Sequence, residues 1–129
     1  MTKVTGHCLC GGCRFTLEGP HNWVGHCHCD SCRRATVSPI TTFIGHPDGH
    51  WQFSLGTPAI FPSSPKVERG FCRDCGSPLF YRSQEVPGET HFYAVLLDDP
   101  TLVEPTIHWH LDEALPWLHL SDQVRKAGL

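Results

Sequence analysis

Eight cysteines in 129 residues fall into three tight clusters, Cys8-Leu9-Cys10-x-x-Cys13, Cys27-His28-Cys29-x-x-Cys32 and Cys72-x-x-Cys75. Two cysteines one to three residues apart can both reach a tetrahedral ion from one tight turn, with Zn–S near ~2.3 Å. Such close pairs are awkward disulfide partners, because a disulfide accepts only a narrow range of Cα separations. Residues 1–7 show neither an apolar h-region nor a small-residue cleavage site, so no secretory signal is visible. The expectation is a cytoplasmic chain whose reduced thiols bind zinc.

The length suits a single domain over residues 1–129 with a modest core. A formal charge of −3 and a pI near 6.3 argue against nucleic-acid binding, which usually needs a basic stripe. Zinc deepens that balance, since a four-thiolate ion carries two negative charges and a three-thiolate ion carries one. No apolar run approaches the ~20 residues of a membrane span. The ten histidines read mostly as structural or exposed, because seven or eight thiolates already saturate two tetrahedral ions.

Glycine and proline punctuate short segments, as at Gly19-Pro20, Pro47-Asp48-Gly49, Pro62-Ser63-Ser64-Pro65 and Pro87-Gly88. Between them lie strand-like runs. Residues 13–18 alternate, 40–44 are β-branched and aromatic, and 91–96 read as a buried strand; 51–53, 59–61, 67–71, 79–81 and 106–109 are further candidates. Helical signal is limited to about one turn after Cys29, capped by Asp30 or Ser31, and a short C-terminal stretch begun by Ser121-Asp122. The fold expected is mainly β, with metal at turns and strand ends.

Seven ligating cysteines would make one four-thiolate and one three-thiolate site, whereas eight would close two four-thiolate sites. An open position is what separates a catalytic zinc from a structural one. Spacing lets Cys72 and Cys75 complete either CxC pair, and it leaves Cys13 as a ligand or a small buried core residue.

Four segments, taken in order, resemble one known family: Gly6-His7-Cys8-Leu9-Cys10-Gly11; Cys27-His28-Cys29-x-x-Cys32-Arg33-Arg34; Ser63-Ser64-Pro65-x-Val67-x-Arg69-x-Phe71-Cys72-x-x-Cys75-Gly76-Ser77-Pro78-Leu79; and His108 with Leu115-Pro116-Trp117. That family is the glutathione-dependent formaldehyde-activating family, which includes the centromere protein V-like domains. The resemblance implies a β-tent of short antiparallel strands stapled by two Zn²⁺ per chain. One, structural, would be held by Cys8, Cys10, Cys72 and Cys75; the second, with an open position, by Cys27, Cys29 and Cys32; Cys13 would be spare. A glycine often follows the CxxCRR run in this family, whereas Ala35-Thr36-Val37-Ser38-Pro39 stands here.

A three-thiolate zinc favours sulfur over hydroxide and lowers the pKa of a bound thiol from about 8.5. The implied reaction is a carbon–sulfur lyase type, joining glutathione to formaldehyde or a similar small aldehyde, or the reverse. Glutathione's carboxylates call for Arg33, Arg34, Ser64 and Arg69, although each arginine reads equally as a surface charge or a donor to thiolate sulfur. His28 is a candidate proton carrier that strand alternation points away from the ligands beside it, and His108 matches a family position of unknown role. Trp109, Trp117, Phe71 and Phe80 are assigned to the core. The alternatives are a non-enzymatic zinc-stabilised binding module and, more remotely, a redox protein of the methionine sulfoxide reductase type.

Overall fold

The computed structural model describes residues 2–120 together with 125–126. Two sheets carry the fold. The smaller has the order β1-β2-β5, from β1 (Lys3–His7), β2 (Arg14–Glu18) and β5 (Trp51–Leu55). The larger runs β11-β10-β3-β4-β9-β8-β7-β6. Its strands are β3 (Trp23–Cys27), β4 (Thr41–Pro47), β6 (Ala59–Ser64), β7 (Val67–Phe71), β8 (Pro78–Ser83), β9 (Glu89–Tyr93), β10 (Ile107–Trp109) and β11 (Arg125–Lys126). Pairing is antiparallel except that β10 lies parallel to both β3 and β11. The fold is therefore mainly β, as the punctuated sequence predicts.

Two local expectations are corrected, and a third falls largely outside the described residues. The helix after Cys29 is longer than one turn, spanning Asp30–Thr36 (α1), and its cap is Cys29 itself, whose sulfur accepts from the Cys32 amide. The run 91–96 is strand only as far as Tyr93; residues Ala94–Leu96 tighten into a 3₁₀ turn, and the following Asp98 amide donates to Thr5 O of β1. The helical stretch expected from Ser121-Asp122 starts outside the described residues, and Arg125–Lys126 pair as strand.

Period-two alternation gives the large sheet two working faces. Val24, Ile44, Phe80 and Phe92 point one way and form the main core with Phe15 and Leu17 of the small sheet. Phe15 stacks on Phe92 with ring centroids 4.9 Å apart. Their immediate neighbours Trp23, Phe43, Tyr81 and Tyr93 point the other way and gather with Cys27 and Cys32. Two glycines open that second face. A Cβ on Gly45 would lie 2.3 Å from the Trp23 indole, and one on Gly25 would lie 3.1 Å from Trp109 Nε1 and 2.5 Å from Ile107.

Val37 closes α1 in the left-handed region at φ 54° with its side chain 93% exposed. The backbone there makes the turn that suits glycine, and a β-branched residue makes it under strain. Val37→Gly is expected to raise stability by about 0.5–1 kcal/mol, the relief of strain being partly offset by the freer unfolded chain. A urea midpoint at or below that of wild type would refute this.

A histidine pair, His46 buried and His21 half-buried, tunes the fold to pH. His46 is fully enclosed; its Nε2 donates to Glu18 O at 2.9 Å and His50 O at 3.2 Å, so its Nδ1 accepts from His21 Nδ1 at 2.9 Å. Burial holds both imidazoles below their ordinary pKa. The unfolded chain then takes up protons near pH 6.5 that the folded chain refuses, so stability falls as pH drops through that value. The melting temperature is expected to fall more steeply between pH 7.5 and 5.5 in wild type than in His46→Gln.

Candidate metal centres

Two turns build the first cluster. Cys8 and Cys10 sit between β1 and β2, Cys72 and Cys75 between β7 and β8. Each turn closes on itself in the same way, the Cys8 amide donating to Cys13 O at 3.1 Å and the Cys72 amide to Ser77 O at 2.9 Å. The Leu9 amide then donates to Ser77 Oγ at 3.0 Å and locks one turn to the other. All four sulfurs lie within 4.8 Å of one another, with Cys8–Cys10 at 3.6 Å and Cys10–Cys72 at 3.8 Å. Sulfurs about 3.8 Å apart are what a regular tetrahedron with ~2.3 Å Zn–S bonds requires. Backbone amides of Cys13 and Gly12 donate to the Cys8 and Cys10 sulfurs at 3.3 Å each, which favours thiolates. The donor set fits a thiolate-bound metal.

Cys13 packs in the core beside this first cluster, and burial pushes its thiol up to about 11. It does not stand with the second group. That group is Cys27 at the end of β3, Cys29 at the cap of α1 and Cys32 within α1, three sulfurs again within 4.8 Å. As bare thiols they oppose one another: the hydrogen bond from Cys27 brings Cys29 down to about 2, and the same contact pushes Cys27 far up. A shared cation would remove that conflict, so this set too could hold a metal.

Arg69 is the side chain that answers the second cluster. It is buried, with Nη1 and Nη2 each 3.8 Å from Cys32 Sγ, Nη2 donating to Ser31 Oγ at 2.8 Å and Nε to Ser63 Oγ at 3.2 Å. Burial works against its charge, but the Cys32 sulfur outweighs burial and holds the guanidinium above its ordinary pKa. The other proposed binding residues lie elsewhere. Arg33 donates to the carbonyls of His28 and Glu113, tying α1 to the Leu111–Glu113 turn. Arg34 is an exposed partner of Asp30 at 3.0 Å, and Ser64 lines a surface hollow beside Lys66 and Arg82. His28 is buried against His108, Nε2 to Nδ1 2.8 Å, and lines neither of the cavities beside the second cluster.

Cys32 lines one of those cavities and Arg69, in contact with its sulfur, lines the other. One, of about 460 Å³, has Cys27, Cys29 and Cys32 in its lining together with Trp23, Phe43, Tyr81, Trp109, Glu89 and His91. The other, of about 590 Å³, is lined by Arg34, Phe61, Phe71, Arg69 and Tyr93 among others. Of the aromatics assigned to the core, Phe80 lies in the main core and Trp109 packs against the second cluster while also lining its cavity; Phe71 is a wall of the other cavity and Trp117 is exposed. Tyr81, Glu89 and His91 were missed by sequence reasoning. Their only signal is that they share one face of β8 (Pro78–Ser83) and β9 (Glu89–Tyr93), which becomes informative once the pairing of the two strands is known.

The sequence matches the family profile described as glutathione-dependent formaldehyde-activating enzyme over residues 3–113. No curated protein matches it. Among solved structures, a crystal structure of a Rhodobacter sphaeroides protein is similar at TM-score 0.66 and 20% identity, covering 82% of this chain and 99% of that one. That likeness speaks for the fold. Among the described residues no helix is long and apolar enough to cross a membrane.

Proposed function

The chain belongs to the glutathione-dependent formaldehyde-activating enzyme family, and from that premise we propose that it joins a thiol, glutathione in the first instance, to formaldehyde, or runs the reverse reaction. The observation that carries the reading is the asymmetry of the two clusters. Four sulfurs close the first on themselves, whereas the three of the second line a cavity large enough for a small ligand. In this reading Cys8, Cys10, Cys72 and Cys75 hold a structural zinc, and Cys27, Cys29 and Cys32 hold a second one. A zinc bound by three thiolates would supply a fourth position at which an incoming thiol loses its proton near neutral pH.

The rest of the work falls to side chains. Arg69 offsets the negative charge of the thiolates from behind Cys32, which keeps the cluster from repelling a further sulfur anion. Trp23, Phe43, Tyr81 and Trp109 exclude water and hold a small carbonyl compound beside the sulfur. Attack by sulfur on the carbonyl carbon forms the S–C bond, the C=O π pair moves to oxygen, and that oxygen takes up one proton. Arg34, at the rim of the neighbouring cavity, would meet a carboxylate that projects from the site; Arg33 and Ser64 are engaged or distant.

Zinc content and sulfur coordination by X-ray absorption test this directly. Two zincs averaging about 3.5 sulfurs, rising toward 4 on addition of glutathione, together with faster adduct exchange measured by NMR, are the expected results. Four sulfurs on both ions before any thiol is added would make the protein a zinc-stabilised binding module.

A further inference from the structure

The cavity over the second cluster has an unusual charge balance for a site meant to take an anionic tripeptide. Its lining holds three cysteines, Glu89 and two histidines, and no arginine or lysine among the described residues. Glu89 stands beside His91 in that lining, with its side chain only 12% exposed. Its Oε1 accepts from Asn22 Nδ2 at 3.0 Å, and its Oε2 from Trp23 Nε1 at 2.9 Å and His91 Nε2 at 2.6 Å.

Burial opposes the charge on Glu89, yet the bonds from Asn22, Trp23 and His91 outweigh it and hold the carboxyl below its ordinary range. Burial likewise keeps His91 below its ordinary value, despite Glu89 and the nearby Asp48. At neutral pH the carboxylate is therefore solvated by three uncharged donors that do not cancel its charge. An enclosed anion without a counter-ion is costly, and a cation in the cavity would complete it. The walls suit one: the Trp23, Phe43, Tyr81 and Trp109 rings line the cavity, and ammonium groups bind well among aromatic rings.

We propose that this cavity selects its thiol by an ammonium group, which sits against Glu89 within the aromatic walls while the sulfur lies at the Cys27, Cys29 and Cys32 end. The inference rests on the thiol-binding reading above and deepens it. Of the charged groups on glutathione, the α-ammonium is the one recognised inside, and both carboxylates face outward. Compact aminothiols become ligands in their own right.

The test uses the zinc-loaded protein without aldehyde and follows binding by calorimetry. 2-Aminoethanethiol is compared with 2-mercaptoethanol, and glutathione with N-acetylglutathione, on wild type and Glu89→Gln. Wild type is expected to prefer each ammonium-bearing thiol by about tenfold or more, and Glu89→Gln to bring both ratios within about twofold. Comparing ratios between the two proteins cancels the different acidities of the thiols. Equal binding of the paired thiols by wild type, or an unchanged preference in Glu89→Gln, overturns the proposal. Should the variant not fold, tetramethylammonium decides on wild type alone: it must displace 2-aminoethanethiol far better than its neutral near-isostere tert-butanol does, and equal displacement by the two overturns the proposal. An ammonium preference without any acceleration of formaldehyde exchange would sink the proposed reaction and leave the recognition standing.

Discussion

Cys72→Ser is expected to release one zinc and unfold most of the domain. Cys72 is buried at 1% exposure in the main core, and its partner Cys10 is 62 residues away in the chain. The cluster joins the turn of the small sheet to the β7–β8 turn near one end of the large sheet, a contact that no local hydrogen bonding could replace. Structural zinc contributes about 10–16 kcal/mol in small metal-folded systems, as much as or more than the ~5–15 kcal/mol net stability of a typical domain. The variant should lose its cooperative melting transition and bind at most one zinc. A normal transition with two zincs retained would defeat the assignment.

Cys29→Ser separates chemistry from folding. Cys29 caps α1 through its sulfur, and serine is among the best residues at that position, so the helix keeps its cap while the cluster loses a thiolate. Adduct exchange is expected to fall by about a hundredfold or more, given that even residues behind a metal ligand cost about 10–100-fold when removed. The melting temperature should fall far less than in Cys72→Ser. Equal damage to stability in the two variants would mean that both clusters are structural.

The cysteine clusters were legible because their geometry is local: a CxC or CxxC pair fixes its own turn wherever the chain goes. The strands were legible for the same reason, since alternation over residues 13–18 and the β-branched and aromatic run at 40–44 are written in neighbouring residues. The helix cap was misread because a cysteine sulfur took the role expected of Asp30 or Ser31. Ala94–Leu96 looked like strand because its residues are apolar, yet the chain must bend there for the Asp98 amide to reach Thr5 O on β1. The division of sulfurs came from the family resemblance, and the geometry now supports it by placing Cys13 away from the second cluster. Glu89, His91 and Tyr81 stayed hidden because their meeting depends on β4, β9 and β8 lying side by side, which no short window contains.

The two-faced sheet carries an evolutionary consequence. Trp23, Phe43, Tyr81 and His91 line the cavity, while Val24, Ile44, Phe80 and Phe92, one step along the same strands, fill the core. An inserted or deleted residue in β4, β8 or β9 would exchange the two sets wholesale, placing imidazole and phenol in the core and phenylalanine in the cavity. Descendants of this sequence can therefore change what they bind by substitution on those strands, whereas changes of length are confined to the connections between them.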